Sequence, residues 1–205
     1  MGRFGPLLLA LASAALYSAS MPPLAARGLA WVALAPLFVA VACTRPITAA
    51  GLGLVWGIGI SVGITWWVPA MATNYFELPA WLGWLVLLGA GIAHVGLPGA
   101  LFAGWASWTI RRGAGGPILL ALAWGGYELV RGRVCGNPWA LTAYSQVGWP
   151  ALLQSASLVG PYGVGMLVAA VNAVLAMPLV PALRPARPWA SVVVVLAALA
   201  GDLAP

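Results

Sequence analysis

The amino-acid sequence predicts an all-α bundle of membrane-spanning helices with about seven spans. Of its 205 residues, 63% are hydrophobic and only 6% are charged, whereas about 25% of the residues in soluble domains are charged. Seven apolar stretches follow one another, and several approach the ~20 residues that a helix needs to cross a bilayer. They lie at about 4–20, 28–43, 51–72, 80–109, 117–131, 151–180 and 189–203. The connections between them are too short to fold alone, so we expect a single transmembrane domain over 1–205 and no soluble domain.

The individual stretches carry further signals. Arg3 followed by an apolar run resembles a signal peptide, but a second apolar stretch begins within ten residues, so we expect the first span to be kept. In the third stretch, Gly53/Gly57 and Gly59/Gly63 form two small-x-x-x-small pairs on different helix faces, which predicts close neighbours on both sides. The fourth stretch is too long for one perpendicular span, and its proline at position 98 predicts a kink or a tilt.

The arginines predict the orientation. With the N-terminus inside and seven spans, six arginines lie on the cytoplasmic side and three outside, which favours an N-in/C-out topology because positive residues are enriched inside. The inner set is Arg3, Arg45, Arg111, Arg112, Arg184 and Arg187, and the outer set is Arg27, Arg131 and Arg133. The net charge of +6 is therefore a topology signal, and we expect no nucleic-acid partner.

The segment from 124 to 146 is the most informative part of the chain. Trp124, Glu128 and Arg131 share one stripe of a helix, in a chain with only three acidic residues. A charge at membrane depth costs a few kcal/mol or more, so such residues are normally paired and face protein or water. The helix then breaks at Gly136-Asn137-Pro138-Trp139, and a polar Tyr144-Ser145-Gln146 follows. We expect an outer-face loop at about 132–150.

These elements resemble, in order and spacing, the membrane domain of the apolipoprotein N-acyltransferases, a bacterial family of lipoprotein maturation. The resemblance covers nearly the whole chain. Further matching elements are Met21-Pro22-Pro23, 31–37, Gly57-x-Gly59, 63–67, Gly160-x-Tyr162-Gly163-Val164 and Asn172. Asn137 departs from the family, which more usually has Phe before the Pro-Trp.

The resemblance implies a multi-pass protein of the bacterial inner membrane and an acyltransferase reaction. In the family an acyl chain passes from a phospholipid to a catalytic cysteine as a thioester, and then to the α-amino group of a lipoprotein's diacylglyceryl-cysteine. The Glu-Lys-Cys set for this chemistry lies in a nitrilase-like domain that follows these spans. This chain contains no lysine, so we expect no catalysis by it alone and assign no catalytic residues, cofactor or metal. A truncated product, half of a split enzyme with the nitrilase-like domain in trans, and a degenerate lipid-binding homologue remain as explanations.

The resemblance also implies a substrate-binding set for phospholipid and the diacylated lipoprotein N-terminus. It comprises Trp124, Glu128, Arg131, Pro138, Trp139, Tyr144, Ser145 and Gln146. Two interpretations of the charged residues stay open. Glu128 and Arg131 form an ion pair that fixes the fifth span, or Arg131 meets a lipid phosphate through its planar donor fork while Glu128 orients it.

Two other function classes compete with the acyltransferase interpretation. The first is a non-catalytic lipid-binding or scaffold membrane protein. The second is a rhomboid-like intramembrane serine protease, which would pair Ser61 of Gly59-x-Ser61-x-Gly63 with His94 in the next span. Packing by the glycines and a structural histidine are the favoured explanation of these residues. Cys43 and Cys135 map to opposite membrane boundaries, so we expect no disulfide between them.

Overall fold

The computed structural model describes residues 2, 4–184 and 193, and within them it contains helices and no strand. The predicted all-α class is therefore confirmed. The helices are α1 (Gly5–Ser20), α2 (Ala30–Ala33), α3 (Ala35–Ala42), α4 (Pro46–Thr65), α5 (Val68–Phe76), α6 (Ala80–Gly91), α7 (Leu97–Thr109), α8 (Pro117–Leu129), α9 (Pro150–Gln154) and α10 (Ala156–Ala176). The seventh predicted stretch, 189–203, lies outside the described residues except for position 193.

Three helical segments are long and apolar enough to cross a bilayer. They are Pro46–Thr65, Ala80–Ala114 and Ala156–Ala176, and the shorter apolar segments Gly5–Ser20 and Arg27–Ala42 accompany them. The chain is thus a helical membrane protein, while its number of spans stays a prediction. The 35-residue segment Ala80–Ala114 is about 52 Å long at 1.5 Å per residue, which exceeds the ~30 Å of a hydrocarbon core.

A π-helical turn interrupts the α-helical hydrogen bonds of the long segment where the sequence predicts a kink. Pro98 has no N–H, so the carbonyl of His94 loses its helical donor. The chain responds with a π segment at Ile92–Gly96, in which the backbone N–H of Leu97 donates to the carbonyl of Ile92. The structural response to Pro98 is therefore a local π-bulge, a feature that commonly accompanies kinks.

The glycines of α4 pack on two sides, as the sequence predicts. Gly53 and Gly57 face the long segment, and a Cβ built on Gly57 would stand 2.7 Å from the Cα of Gly96. Gly59 and Gly63 instead face α1, and a Cβ built on Gly59 would stand 3.0 Å from that of Ala14. The two small-x-x-x-small pairs therefore let α4 lie between α1 and the long segment.

An asparagine of α10 binds the second apolar stretch at the point where α2 ends and α3 begins. Asn172 is fully buried, and its Oδ1 accepts the backbone N–H groups of Leu34 and Ala35 at 2.8 and 2.9 Å. Its Nδ2 donates to the carbonyls of Ala30 and Val168 at 2.9 and 2.8 Å. Because α2 ends and α3 begins around Leu34, backbone groups at this break need a partner, and Asn172 supplies one.

An aromatic cluster forms the centre of the bundle. Trp124 contacts one ring from each of four other helices and the ring of Tyr127 on its own helix, with centroid distances between 4.8 and 6.4 Å. The cluster consists of Tyr17, Phe38, Trp56, Phe102, Trp124 and Tyr127, all buried. The indole N–H of Trp56 donates to Ser13 Oγ at 3.0 Å, as buried indoles usually require a partner.

The segment expected as an outer-face loop at 132–150 differs from that prediction in two ways. A π segment at Val130–Val134 prolongs α8, so the loop begins only at about Cys135. Its middle, a 3₁₀ turn at Thr142–Gln146, is largely buried in the bundle. The loop folds inward because Thr142 hydrogen-bonds with a buried carboxyl group on α8. It reaches the end of the bundle where α1 and α4 also terminate, which the arginines predict to be outside.

Candidate functional site

Glu128 fixes the position of this buried loop through hydrogen bonds. The side chain is 0% exposed, and its Oε1 accepts the backbone N–H of Thr142 at 2.6 Å and the Thr142 hydroxyl at 2.7 Å. The indole N–H of Trp124 donates to the same hydroxyl oxygen at 2.9 Å. Tyr17 OH donates to the carbonyl of Ala140 at 3.0 Å and lies 3.1 Å from Thr142 Oγ1. This network joins α1, α8 and the loop.

Arg131 lies one helical turn beyond Glu128, and its side chain contacts a different part of the loop. Its guanidinium is 2% exposed, and Nη2 donates to the carbonyl of Trp139 at 2.7 Å. Its Cζ lies 5.5 Å from the ring centroid of Tyr127. Within the described residues, Nε and Nη1 of Arg131 and Oε2 of Glu128 have no hydrogen-bond partner. The hydrogen-bonded ion pair, one of the two interpretations that the sequence leaves open, is therefore absent from the described residues, and Glu128 orients the loop rather than the guanidinium.

Arg131 lines an apolar cavity, which we call the Arg131 cavity. Its volume is about 210 Å³, and it lies between α4, α6 and the start of the buried loop. The lining residues are Ile60, Ser61, Ile64, Thr65, Trp67, Val68, Val86, Leu87, Ala90, Gly91, Val95, Arg131, Asn137, Trp139 and Ala140. Trp67 and Trp139 pack together here with ring centroids 6.3 Å apart. A cation thus borders a space whose walls are otherwise mostly hydrocarbon.

The structure separates the eight residues predicted to bind substrate. Arg131 and Trp139, the latter 59% exposed, meet at the Arg131 cavity. Trp124 and Glu128 instead hold the loop from inside. The remaining four do not line the cavity, and they are Pro138, Tyr144, Ser145 and Gln146. Ser145 and Gln146 are buried, and their side chains hydrogen-bond with each other at 2.8 Å, whereas Pro138 and Tyr144 are exposed.

Two residues of the network were not predicted from the sequence. Thr142 contacts Glu128, Trp124 and Tyr17, although a threonine between two motif elements has no distinctive spacing. Tyr17 reaches a carbonyl 123 positions away. The only available signal for Tyr17 was a single polar aromatic in the first apolar stretch.

The protease arrangement does not form. Ser61 Oγ donates to the carbonyl of Gly57 in its own helix at 2.8 Å. His94 Nδ1 lies 2.9 Å from the carbonyl oxygen of Cys135. Neither side chain is hydrogen-bonded to the other, so the nucleophile–base contact of a serine protease is missing. In the described part of the chain, no three His, Cys, Asp or Glu residues cluster as metal ligands would.

The fold and the site define a class of protein: a helical membrane domain with a buried arginine beside an apolar cavity. The family model described as the apolipoprotein N-acyltransferase N-terminal domain matches residues 13–174, so this chain belongs to that family. It is also 35% identical, over 173 residues, to an apolipoprotein N-acyltransferase of Geobacter metallireducens (strain ATCC 53774 / DSM 7210 / GS-15). That match covers 82% of this chain and 32% of the relative. The chain thus spans about a third of that relative's length, and the resemblance expected from the sequence motifs is confirmed.

Proposed function

We propose that this chain forms the lipid-binding part of an apolipoprotein N-acyltransferase, with Arg131 contacting the phosphate of a bound phospholipid. The proposal rests on the surroundings of the buried Arg131 guanidinium. Its Nε and Nη1 have no hydrogen-bond partner in the described residues, and the side chain lines an apolar cavity. Burying such donors without a partner costs free energy. A lipid phosphate would supply acceptor oxygens in the geometry that a guanidinium fork fits.

The cavity walls suit the remainder of the lipid. Ile60, Ile64, Val86, Leu87 and Val95 offer hydrocarbon surface from two helices on either side of the space, and burying apolar surface stabilises by about 25 cal/mol per Å². Trp67 and Trp139 stand beside it, and tryptophan favours the boundary between hydrocarbon and water. An acyl chain lying between α4 and α6 with its phosphate at Arg131 would satisfy both kinds of surface.

The proposed substrates follow from the family. A phospholipid donates the acyl chain, and the diacylated N-terminus of a lipoprotein receives it in the bacterial inner membrane, which this chain spans several times. The chain supplies the lipid bed, and a nitrilase-like domain supplies the Glu-Lys-Cys chemistry, because none of these 205 residues is a lysine. Glu128, Thr142 and Trp124 act by positioning the loop that carries Trp139.

A fusion experiment tests the proposal. The chain is joined to the nitrilase-like domain of the Geobacter relative, and N-acylation of a diacylated lipoprotein peptide is measured with phospholipid as donor. We expect product from the fusion, loss of product with Arg131→Gln, and retained product with Arg133→Gln, an exposed arginine two residues away. An active Arg131→Gln fusion would contradict the role of Arg131.

The isolated chain is the second arm of this experiment, and it should yield no product. Product that persists after Cys43→Ala and Cys135→Ala would show a different chemistry within the chain. A second candidate is a non-catalytic lipid-binding scaffold, which the apolar walls of the Arg131 cavity would suit equally. Tight phospholipid binding together with an inactive, folded fusion would support the scaffold instead.

A further inference from the structure

Asn137 lines the Arg131 cavity on the side that is open to water. Both side chains border the same space, but Arg131 is buried whereas Asn137 is partly exposed. The backbone N–H of Asn137 donates to the carbonyl of Arg131 at 2.8 Å, which joins the start of the loop to the end of the helix. A group that extends from a phosphate at Arg131 toward water therefore meets Asn137.

A backbone contact fixes the orientation of the Asn137 amide group. Its Oδ1 accepts the backbone N–H of Trp139 at 3.1 Å, the contact by which asparagine commonly caps a turn that it begins. Because the Trp139 N–H is a donor, the atom that it meets must be the oxygen of the amide. The part of the side chain that remains available is Nδ2, which carries two donors and no acceptor.

The polar groups around this cavity are chiefly donors. Among the described residues that line it, none is acidic, and the carboxyl group of Glu128 binds the buried loop elsewhere. The hydroxyls of Ser61 and Thr65 donate to carbonyls of their own helix at 2.8 and 2.6 Å. The N–H groups of Arg131 and Asn137 suit oxygen acceptors. An ammonium group, which carries only donors and a like charge, is disfavoured beside them.

We propose that Asn137 selects the headgroup of the phospholipid that Arg131 binds, favouring a hydroxyl-bearing headgroup over one that carries an ammonium. Nδ2 donates to a hydroxyl oxygen of a phosphoglycerol headgroup, whereas phosphoethanolamine would bring its ammonium against two donor groups. This inference rests on the proposed phosphate contact of Arg131 and adds the residue that decides which headgroup is accepted. The phenylalanine that the family more usually has at this position offers no such donor.

Competition between two lipids tests the selection. The purified chain in detergent is mixed with equal amounts of phosphatidylglycerol and phosphatidylethanolamine that have identical acyl chains, and bound lipid is counted by native mass spectrometry. We expect the wild-type chain to prefer phosphatidylglycerol about fivefold, the effect of one net hydrogen bond of ordinary strength. Equal binding of the two lipids, or a preference for phosphatidylethanolamine, would overturn the proposal.

Two substitutions at Asn137 assign the preference to Nδ2. Asn137→Asp keeps an oxygen for the Trp139 N–H and replaces the two amide donors by a second oxygen, so it should shift the preference toward phosphatidylethanolamine. Asn137→Ser also keeps an acceptor for this N–H, and it should abolish the preference without adding charge. Asn74→Asp is the charge control, because Asn74 is exposed and does not line the cavity, and it should bind as the wild type does.

Arg131→Gln makes the two possible failures distinguishable. If it loses both phospholipids while the Asn137 variants keep the wild-type lipid ratio, the headgroup selection is refuted and the phosphate contact stands. If it binds both lipids as the wild type does while the ratio still depends on Asn137, the phosphate contact alone is refuted. An equal shift of the ratio in Asn74→Asp and Asn137→Asp would also refute the selection, because a general charge effect would then explain it.

Discussion

Replacing Thr142 by valine tests whether the buried loop is held by Glu128. The substitution keeps the shape of the side chain and removes the hydroxyl that donates to Glu128 Oε1 at 2.7 Å and accepts the Trp124 indole N–H at 2.9 Å. A net hydrogen bond contributes about 0.5–1.5 kcal/mol, and an orphaned buried donor costs about 1–3 kcal/mol. We therefore expect Thr142→Val to lower the free energy of unfolding by about 2–4 kcal/mol. Thr142→Ser retains the hydroxyl and should cost much less.

The assay is a pair of double-mutant cycles, with unfolding free energies measured by denaturant titration in detergent micelles. Thr142→Val combined with Glu128→Gln should show a coupling of about 0.5–3 kcal/mol, because the two residues are in contact. Glu128→Gln combined with Arg131→Gln should show a smaller coupling than the Thr142 cycle, because these side chains share no hydrogen bond and interact only through their charges. The reverse pattern, a larger coupling between Glu128 and Arg131 than between Glu128 and Thr142, would restore the ion pair and refute this reasoning.

Three further predictions concern the fold. Asn172→Leu removes four buried hydrogen bonds and should destabilise the chain in detergent by about 3–5 kcal/mol. A melting temperature close to that of the wild type would contradict this. Gly57→Ala should destabilise the chain because the new Cβ would lie 2.7 Å from the Cα of Gly96. Gly51→Ala on the same helix is the control and should leave the melting temperature unchanged, because nothing lies within 4 Å of a Cβ there. Equal melting temperatures of the two variants would exclude close packing at Gly57. If the N-terminus is inside, an impermeant thiol reagent applied to spheroplasts should label Glu77→Cys in a Cys43→Ala, Cys135→Ala background, and should not label Cys43 when Cys135 alone is replaced by alanine. The opposite pattern would invert the topology.

The fold was largely predictable because its signals are local. The apolar stretches before position 184, the glycine spacing in α4 and the proline at position 98 are signals that depend on a few neighbouring residues. They correspond to the described helices, to close contacts of α4 and to the π segment before Pro98. Trp124, Glu128 and Arg131 are all buried on α8 and its π extension, in agreement with an inward-facing set of residues, because helical periodicity is local.

The partners of these side chains were not predictable. Two charges on one stripe suggested an ion pair, yet Glu128 bonds to Thr142 in the following loop and Arg131 to the Trp139 carbonyl. The inward path of the loop depends on contacts such as the one between Tyr17 and Ala140, which are 123 positions apart. No periodicity encodes such a separation, so the sequence predicts a loop at about 132–150 but not the buried position of its middle.

The central claim, that Arg131 receives a lipid phosphate, is tested most directly by phospholipid binding to two arginine variants. Arg131→Gln removes the buried cation at the cavity, whereas Arg133→Gln removes an exposed cation of equal charge two residues away. Binding of an anionic phospholipid to the purified, folded variants is measured by native mass spectrometry, with diacylglycerol as the phosphate-free reference. We predict that Arg131→Gln loses the preference for phospholipid by about tenfold or more, as expected for a charge-assisted hydrogen bond, and that Arg133→Gln retains it. Equal loss in both variants, or none in either, would contradict the assignment of Arg131 to the phosphate.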